Sequence, residues 1–175
     1  MSIHQFNATW SNKEDRIELR FNTSEKEEFC FWITRFMAIQ FKRLAEAMIG
    51  DELKKRYENN RTASVIQEFQ KEQIKSSADF KSDYEGGDKR PLGDRPILLI
   101  GLSFTPKEKT VAIEFQLETK KNVNFQLSQE MLISLVMLLE NLAEKAEWGL
   151  DQALATDFEQ NPFPTNVAGY KPAIH

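Results

Sequence analysis

The stretch ILLIGLSFTPKEKTVAIEFQLETKKNVNFQL, residues 97–127, decides the fold. It holds a nearly continuous apolar run at 97–104 and two runs of alternating apolar and polar residues, at 111–118 and 123–127. Alternation with a period of two is typical of strands with one buried face. The turns at 106–109 and 119–122 are too short for the crossover that parallel neighbours need. These residues therefore predict a three-stranded antiparallel meander.

The N-terminal residues predict a β-hairpin. Residues on one face alternate with polar neighbours on either side of a polar turn at 11–15: His4, Phe6, Ala8 and Trp10, then Ile17, Leu19 and Phe21. The same period of two indicates one buried and one exposed face. With the meander, the hairpin predicts a sheet of about five strands.

Two helices are predicted between and after these strands. Ser24 followed by Glu27 matches a capping box and predicts that a first helix begins there. Gly50 is expected either to end this helix or to kink it, with residues 51–57 as a more polar continuation. Its apolar stripe recurs every three or four residues and comprises Phe29, Trp32, Ile33, Phe36, Met37, Phe41, Leu44 and Met48. Ser128 is predicted to cap a second helix that stops near Gly149. The helix is apolar on nearly all sides at 131–142, which predicts a further face buried by the first helix or by a second copy of the chain.

The element order is thus ββαβββα, and it predicts an α+β fold. Two main helices on one face of an antiparallel sheet give a two-layer sandwich. We expect one core, shared by Trp32, Phe36, Leu99, Ile113, Phe115, Leu135 and Leu139. The 175 residues predict a single domain over 1–150, containing a long loop at about 79–95, and a C-terminal tail over 151–175.

Composition narrows the class of protein. The net charge of −4 disfavours a dedicated nucleic-acid binder, which usually carries a basic surface. Cys30 is the single cysteine, so no intrachain disulfide is possible, and the first ten residues lack the pattern of a signal peptide. We therefore expect a cytoplasmic location. The longest apolar run, at 131–139, is too short to span a membrane.

No catalytic, cofactor or metal site is predicted. The two histidines, His4 and His175, lie near opposite ends of the sequence, and clustered ligands are what a metal site needs. Cys30 lies in an apolar pattern and is expected to be structural rather than reactive. The Gly86-Gly87 pair lacks the spacing of a phosphate-binding loop. The carboxylates at 79–94 are interspersed with lysines and arginines, which favours a solvated loop over acid–base chemistry.

Short segments of the chain resemble a group of small bacterial proteins, chiefly proteobacterial, that have no assigned activity. The matching segments are Phe31-Trp32-Ile33-Thr34-Arg35, Ala78-Asp79-Phe80, Pro91-Leu92-Gly93 and Ala146-Glu147-Trp148. Phe36 stands where the group has a second basic residue. The resemblance implies a domain that stands alone, and it implies no chemistry.

These observations favour a non-enzymatic protein-interaction module, with a homodimer as one form of it. The candidate interaction residues are basic ones on the first helix and large ones in the long loop: Arg35, Lys42, Arg43, Phe80, Tyr84 and Leu92. Two alternatives stay open. One is a nucleic-acid-associated protein that uses the basic band of Arg35, Lys42 and Arg43, and the other is an enzyme with a site beneath the loop at 79–95.

Overall fold

The computed structural model describes residues 1–56, 65–66, 68–69, 71–73 and 84–150. In these ranges the main elements follow the order βββαβββα. The strands are β1 (Ile3–Ser11), β2 (Arg16–Thr23), β3 (Glu28–Ile33), β4 (Ile97–Pro106), β5 (Thr110–Leu117) and β6 (Asn122–Ser128). The long helices are α1 (Arg35–Arg56) and α2 (Gln129–Lys145), and described residues between 65 and 73 are also helical. The predicted α+β class and two layers are confirmed.

The six strands form one sheet in sequence order, and every neighbouring pair except one is antiparallel. The exception is β3 with β4, which pair in parallel through Phe31 with Ile97 and Trp32 with Leu98. The sheet is rolled, because its first and last strands meet at a parallel bridge between Ser2 and Gln126. No helix in the described residues has the length and apolar character that crossing a membrane requires.

The predicted start of the first helix at Ser24 is wrong. Residues 28–33 are strand β3, with Phe29, Phe31 and Ile33 buried on the core side. Helix α1 begins after Thr34, whose hydroxyl accepts a hydrogen bond from the Met37 amide at 3.3 Å. The extra strand raises the count from about five to six.

Most of the predicted core is confirmed. Its buried members are Leu99, Ile113, Phe115, Leu135 and Leu139. Trp32 and Phe36 were placed wrongly: Trp32 alternates onto the other face of β3, and Phe36 is 46% exposed in the first turn of α1. Both errors follow from extending the helical period across a strand.

The main elements of the described residues form two similar βββα units. In the first unit, β2, β3 and α1 correspond to β5, β6 and α2, which lie 94 positions later. Lys26, between β2 and β3, and Lys120, between β5 and β6, both have a positive φ near +60°. The two helix caps, Thr34 and Ser128, are also 94 positions apart, and each accepts a hydrogen bond from the amide three residues later. This correspondence was not predicted from the sequence.

The first strands of the two units correspond with a shift of 96 positions. Each carries an irregularity at the same place, between Ile3 and Gln5 in β1 and between Leu99 and Gly101 in β4. The bridge that joins β6 to β1 is likewise the counterpart of the Trp32–Leu98 pair that joins β3 to β4. The two units are therefore arranged around an approximate twofold axis.

Four phenylalanines, two from each unit, form one cluster where the units meet. Phe21 and Phe115 are equivalent, as are Phe31 and Phe125, and all four are fully buried. The rings pack with centroids 4.8–5.3 Å apart, both within each unit and between units. Helix α1 packs on β4 of the second unit, and α2 packs on β1 of the first. Each unit thus completes the core of the other.

Candidate functional site

A groove runs between β1 and α2. The start of β1 lies beside the end of β6, through the Ser2–Gln126 bridge. At the far end, the Trp148 indole nitrogen donates to Asp15 Oδ1 in the β1–β2 turn, at 2.9 Å. Because α2 begins next to Gln126 and ends just before Trp148, it follows the free edge of β1 along its length. We call this space the β1–α2 groove.

The groove encloses a cavity of about 1040 Å³. Its strand wall is residues 4–8, its helix wall includes Met131, Leu138 and Leu142, and Tyr84 closes one side. The remaining polar lining comes from Ser134, Asn141, Glu144 and Lys145 on α2. Ligand sites in proteins commonly have about 300–1000 Å³, an apolar lining and a few polar groups. The groove therefore has room for several residues of a partner.

The edge of β1 that faces the groove is open. Among the described residues, no strand pairs with β1 opposite β2 beyond the bridge at Ser2. The Gln5 amide donates to Asn22 Oδ1 on β2, at 2.9 Å. Since amide directions alternate along a strand, the N–H groups of Phe6, Ala8 and Trp10 point into the groove. The counterpart of Trp10 in β4 is Pro106, which has no N–H and needs none on that side.

The structure does not bring the predicted basic residues into one exposed band. Arg35 is exposed at the start of α1. Lys42 is buried, and its ammonium group pairs with Glu140 on α2 and with Glu46. Arg43 donates to Gln40 Oε1 at 2.6 Å. A buried cation with two carboxylate partners joins the helices, so it is not available to phosphates.

Of the three predicted loop anchors, two lie in the described residues. Leu92 is partly buried and packs against the core, while Tyr84 is partly buried and lines the groove. Phe80 lies outside the described residues. The two described loop residues therefore both pack on the body of the fold.

The described part of the predicted loop is held to the turn between β2 and β3. The Glu28 amide donates to the Lys89 carbonyl at 2.7 Å, and the Lys89 amide donates to the Lys26 carbonyl at 3.1 Å. This close approach requires a glycine nearby: a Cβ on Gly87 would lie 2.6 Å from the Lys26 carbonyl oxygen. Backbone packing thus explains the glycine at position 87.

Tyr84 and Arg90 meet the buried carboxylate of Glu28. Arg90 Nε lies 3.2 Å from Glu28 Oε2. Burial, and then the negative charge of Glu28, raise the pKa of the Tyr84 hydroxyl above its usual value. The Tyr84 side chain is therefore a neutral phenol at the side of the groove.

A smaller cavity of about 450 Å³ lies beneath the described part of the loop. It is lined by His4, Asn22–Ser24, Lys26 and residues 85–88. His4 also lines the groove, so the two cavities adjoin. His4 is exposed rather than on the apolar face, because the irregularity between Ile3 and Gln5 shifts the alternation. In the described ranges, no three potential metal ligands lie together.

No protein-family model matches the chain, and neither a curated protein nor a solved structure shows significant similarity to it.

The sequence did not reveal the groove. Its walls come from strand and helix segments more than a hundred residues apart, and only the fold places them side by side. One signal was available: Ala8 is a small residue in an otherwise large apolar series with Phe6 and Trp10. A small residue at such a position leaves space that a ligand can use.

Proposed function

We propose that the protein is an interaction module that receives an extended segment of a partner protein in the β1–α2 groove. The observation that carries the proposal is the open edge of β1 facing a cavity of about 1040 Å³. An unpaired edge offers a row of backbone donors and acceptors to another strand. Extended peptides bind in this way to other domains, with backbone hydrogen bonds giving affinity and pockets giving specificity.

The geometry of β1 supports strand addition over side-chain recognition alone. The amides of Phe6, Ala8 and Trp10 point into the groove, whereas those of Asn7 and Thr9 point toward β2. A bound strand therefore accepts hydrogen bonds from the amides of Phe6, Ala8 and Trp10, and the hydrogen bonds between β1 and β2 stay intact. Because α2 forms the second wall, side chains of the bound strand are enclosed as well.

Peptide selection tests the proposal. A phage library of randomised peptides as long as the 9 residues of β1 is selected against the full chain. The peptides obtained are then measured against Phe6→Pro and Phe6→Val. Both variants lose the same ring, but only proline also removes the outward N–H. One lost hydrogen bond predicts that Phe6→Pro binds about tenfold more weakly than Phe6→Val.

Amide hydrogen exchange provides a second measurement. In the free protein we expect the Ala8 amide to exchange faster than the Asn7 and Thr9 amides, and we expect the peptide to slow exchange at Ala8. Equal binding to the two Phe6 variants, or a selection that yields no peptide, would show that β1 does not receive a strand.

A further inference from the structure

The two halves of the chain differ at one position that shapes the groove. Ala8 in β1 is the counterpart of Phe104 in β4, by the shift of 96 positions that relates the two strands. Phe104 is fully buried, and its ring packs edge-on against Phe41 of α1, with centroids 5.2 Å apart at 75°. The second unit therefore carries an aromatic ring where the first unit carries only a methyl group.

The same correspondence identifies the part of α2 that would contact such a ring in the first unit. Phe41 of α1 matches Leu135 of α2, 94 positions later. Met131 and Leu138, four residues before and three residues after Leu135, lie on the same side of α2 and line the groove with Ala8. We call the space bounded by Ala8, Met131 and Leu138 the Ala8 subsite.

We propose that the Ala8 subsite receives an aromatic side chain of the bound partner segment. This inference rests on the proposed function, since it concerns a residue of the strand that adds to β1. In its other half, the fold already buries a phenylalanine between this strand position and this helix position. Side chains of paired strands share a face, so a partner residue beside Ala8 points toward the same region.

The lining of the subsite suits such a ring. Aromatic side chains bury a large apolar area, and methionine sulfur makes favourable contacts at ring edges. Anchors of this kind carry much of the binding energy at interfaces when they fill a pocket. The partner is therefore an extended segment with one aromatic anchor, and the neighbouring residues contribute mainly backbone hydrogen bonds.

The test uses the peptides selected against the full chain. We expect them to share one aromatic position, and replacing that residue with alanine should weaken binding to the wild-type protein by about tenfold to a hundredfold. Ala8→Phe, which copies Phe104, should weaken the aromatic peptide to a similar degree. Thr9→Phe is the matched control, because it adds the same ring to the exposed face of the same strand and should leave binding unchanged.

Several outcomes overturn the inference. If the peptides share no aromatic residue, or if alanine in its place binds equally well, the subsite does not take a ring; this result does not depend on folding of the Ala8 variant. If the aromatic peptide binds equally well to Ala8→Phe and Thr9→Phe, the subsite likewise does not take a ring. Strand addition still stands in that case if Phe6→Pro weakens peptide binding relative to Phe6→Val. If Phe6→Pro binds like Phe6→Val, strand addition itself fails. Light scattering that shows a dimer lost in Phe6→Pro would assign the groove to a second copy instead.

Discussion

At the scale of single residues, the surroundings of Cys30 decide its chemistry. Its thiol lies on the outer face of the sheet and donates to Glu18 Oε1 at 3.2 Å. Burial first, and then the hydrogen bond and charge of Glu18, raise the pKa of the Cys30 thiol to about 12, although Arg20 acts to lower it. The sequence predicted an unreactive cysteine in the interior of a helix. The structure places Cys30 in strand β3 instead, where its thiol has the Glu18 carboxylate as a hydrogen-bond partner.

A protonated thiol is a poor nucleophile, so Cys30 should react slowly with iodoacetamide at pH 8 compared with the same residue in the unfolded chain. Glu18→Gln removes the negative charge, lowers the thiol pKa and should speed the reaction. Glu14→Gln, at an exposed site in the β1–β2 turn, is the control. Equal rates for Glu18→Gln and wild type would show that the carboxylate does not act on the thiol.

The raised pKa also fixes the sign of a pH effect on folding. The folded state holds the Cys30 proton up to about pH 12, whereas an unfolded thiol loses it near pH 8.5. The contribution of this group to stability is therefore complete below about pH 8.5 and is lost as pH rises toward 12. Cys30→Ser, compared with wild type across that range, isolates the contribution.

At the scale of elements, β3 shows why a local pattern can mislead. Phe29 and Ile33 are four residues apart, a spacing that fits both a helix and one face of a strand. Ser24 and Glu27 then supplied a false cap. The equivalent strand β6 was predicted correctly from Val123, Phe125 and Leu127, because no competing cap precedes it. Comparison of the two halves would have resolved the ambiguity.

The start of α2 was predicted correctly, and its cap can be measured. Ser128 Oγ accepts a hydrogen bond from the Met131 amide at 3.2 Å. Losing a cap typically costs about 1 kcal/mol, so Ser128→Ala should lower the free energy of unfolding by about that amount. Ser134→Ala is the matched control, since this hydroxyl only bonds back to the Glu130 carbonyl within the helix. A loss in denaturant titrations no larger than that of the control would argue against the cap.

At the scale of the whole molecule, the alternation of apolar and polar residues was sufficient to predict the hairpin, the meander and the α+β class. The correspondence of the two units was not predicted from it, because the halves share a pattern more than identical residues, with Phe21 and Phe115 among the few matches. The groove depends on α2 lying along β1, which is a tertiary relation with no local signature. The ion pair of Lys42 with Glu140 has no local signature either, since the two residues are 98 positions apart.

The shared aromatic cluster predicts that the two units unfold together. Phe115 is fully buried and packs against Phe31 of the other unit at 5.1 Å and Phe125 of its own at 4.8 Å. Phe115→Ala should therefore cost about 3–5 kcal/mol, and the loss should reach both halves through the common core. Circular dichroism and tryptophan fluorescence should give coincident unfolding curves, as all-or-none unfolding requires. Phe69→Ala, at a site that is 58% exposed, is the control and should change stability by no more than about 0.5 kcal/mol. Two separated transitions would mean that each unit folds around a core of its own. The ring contacts between the units, and the packing of each helix on a strand of the other unit, argue against that result.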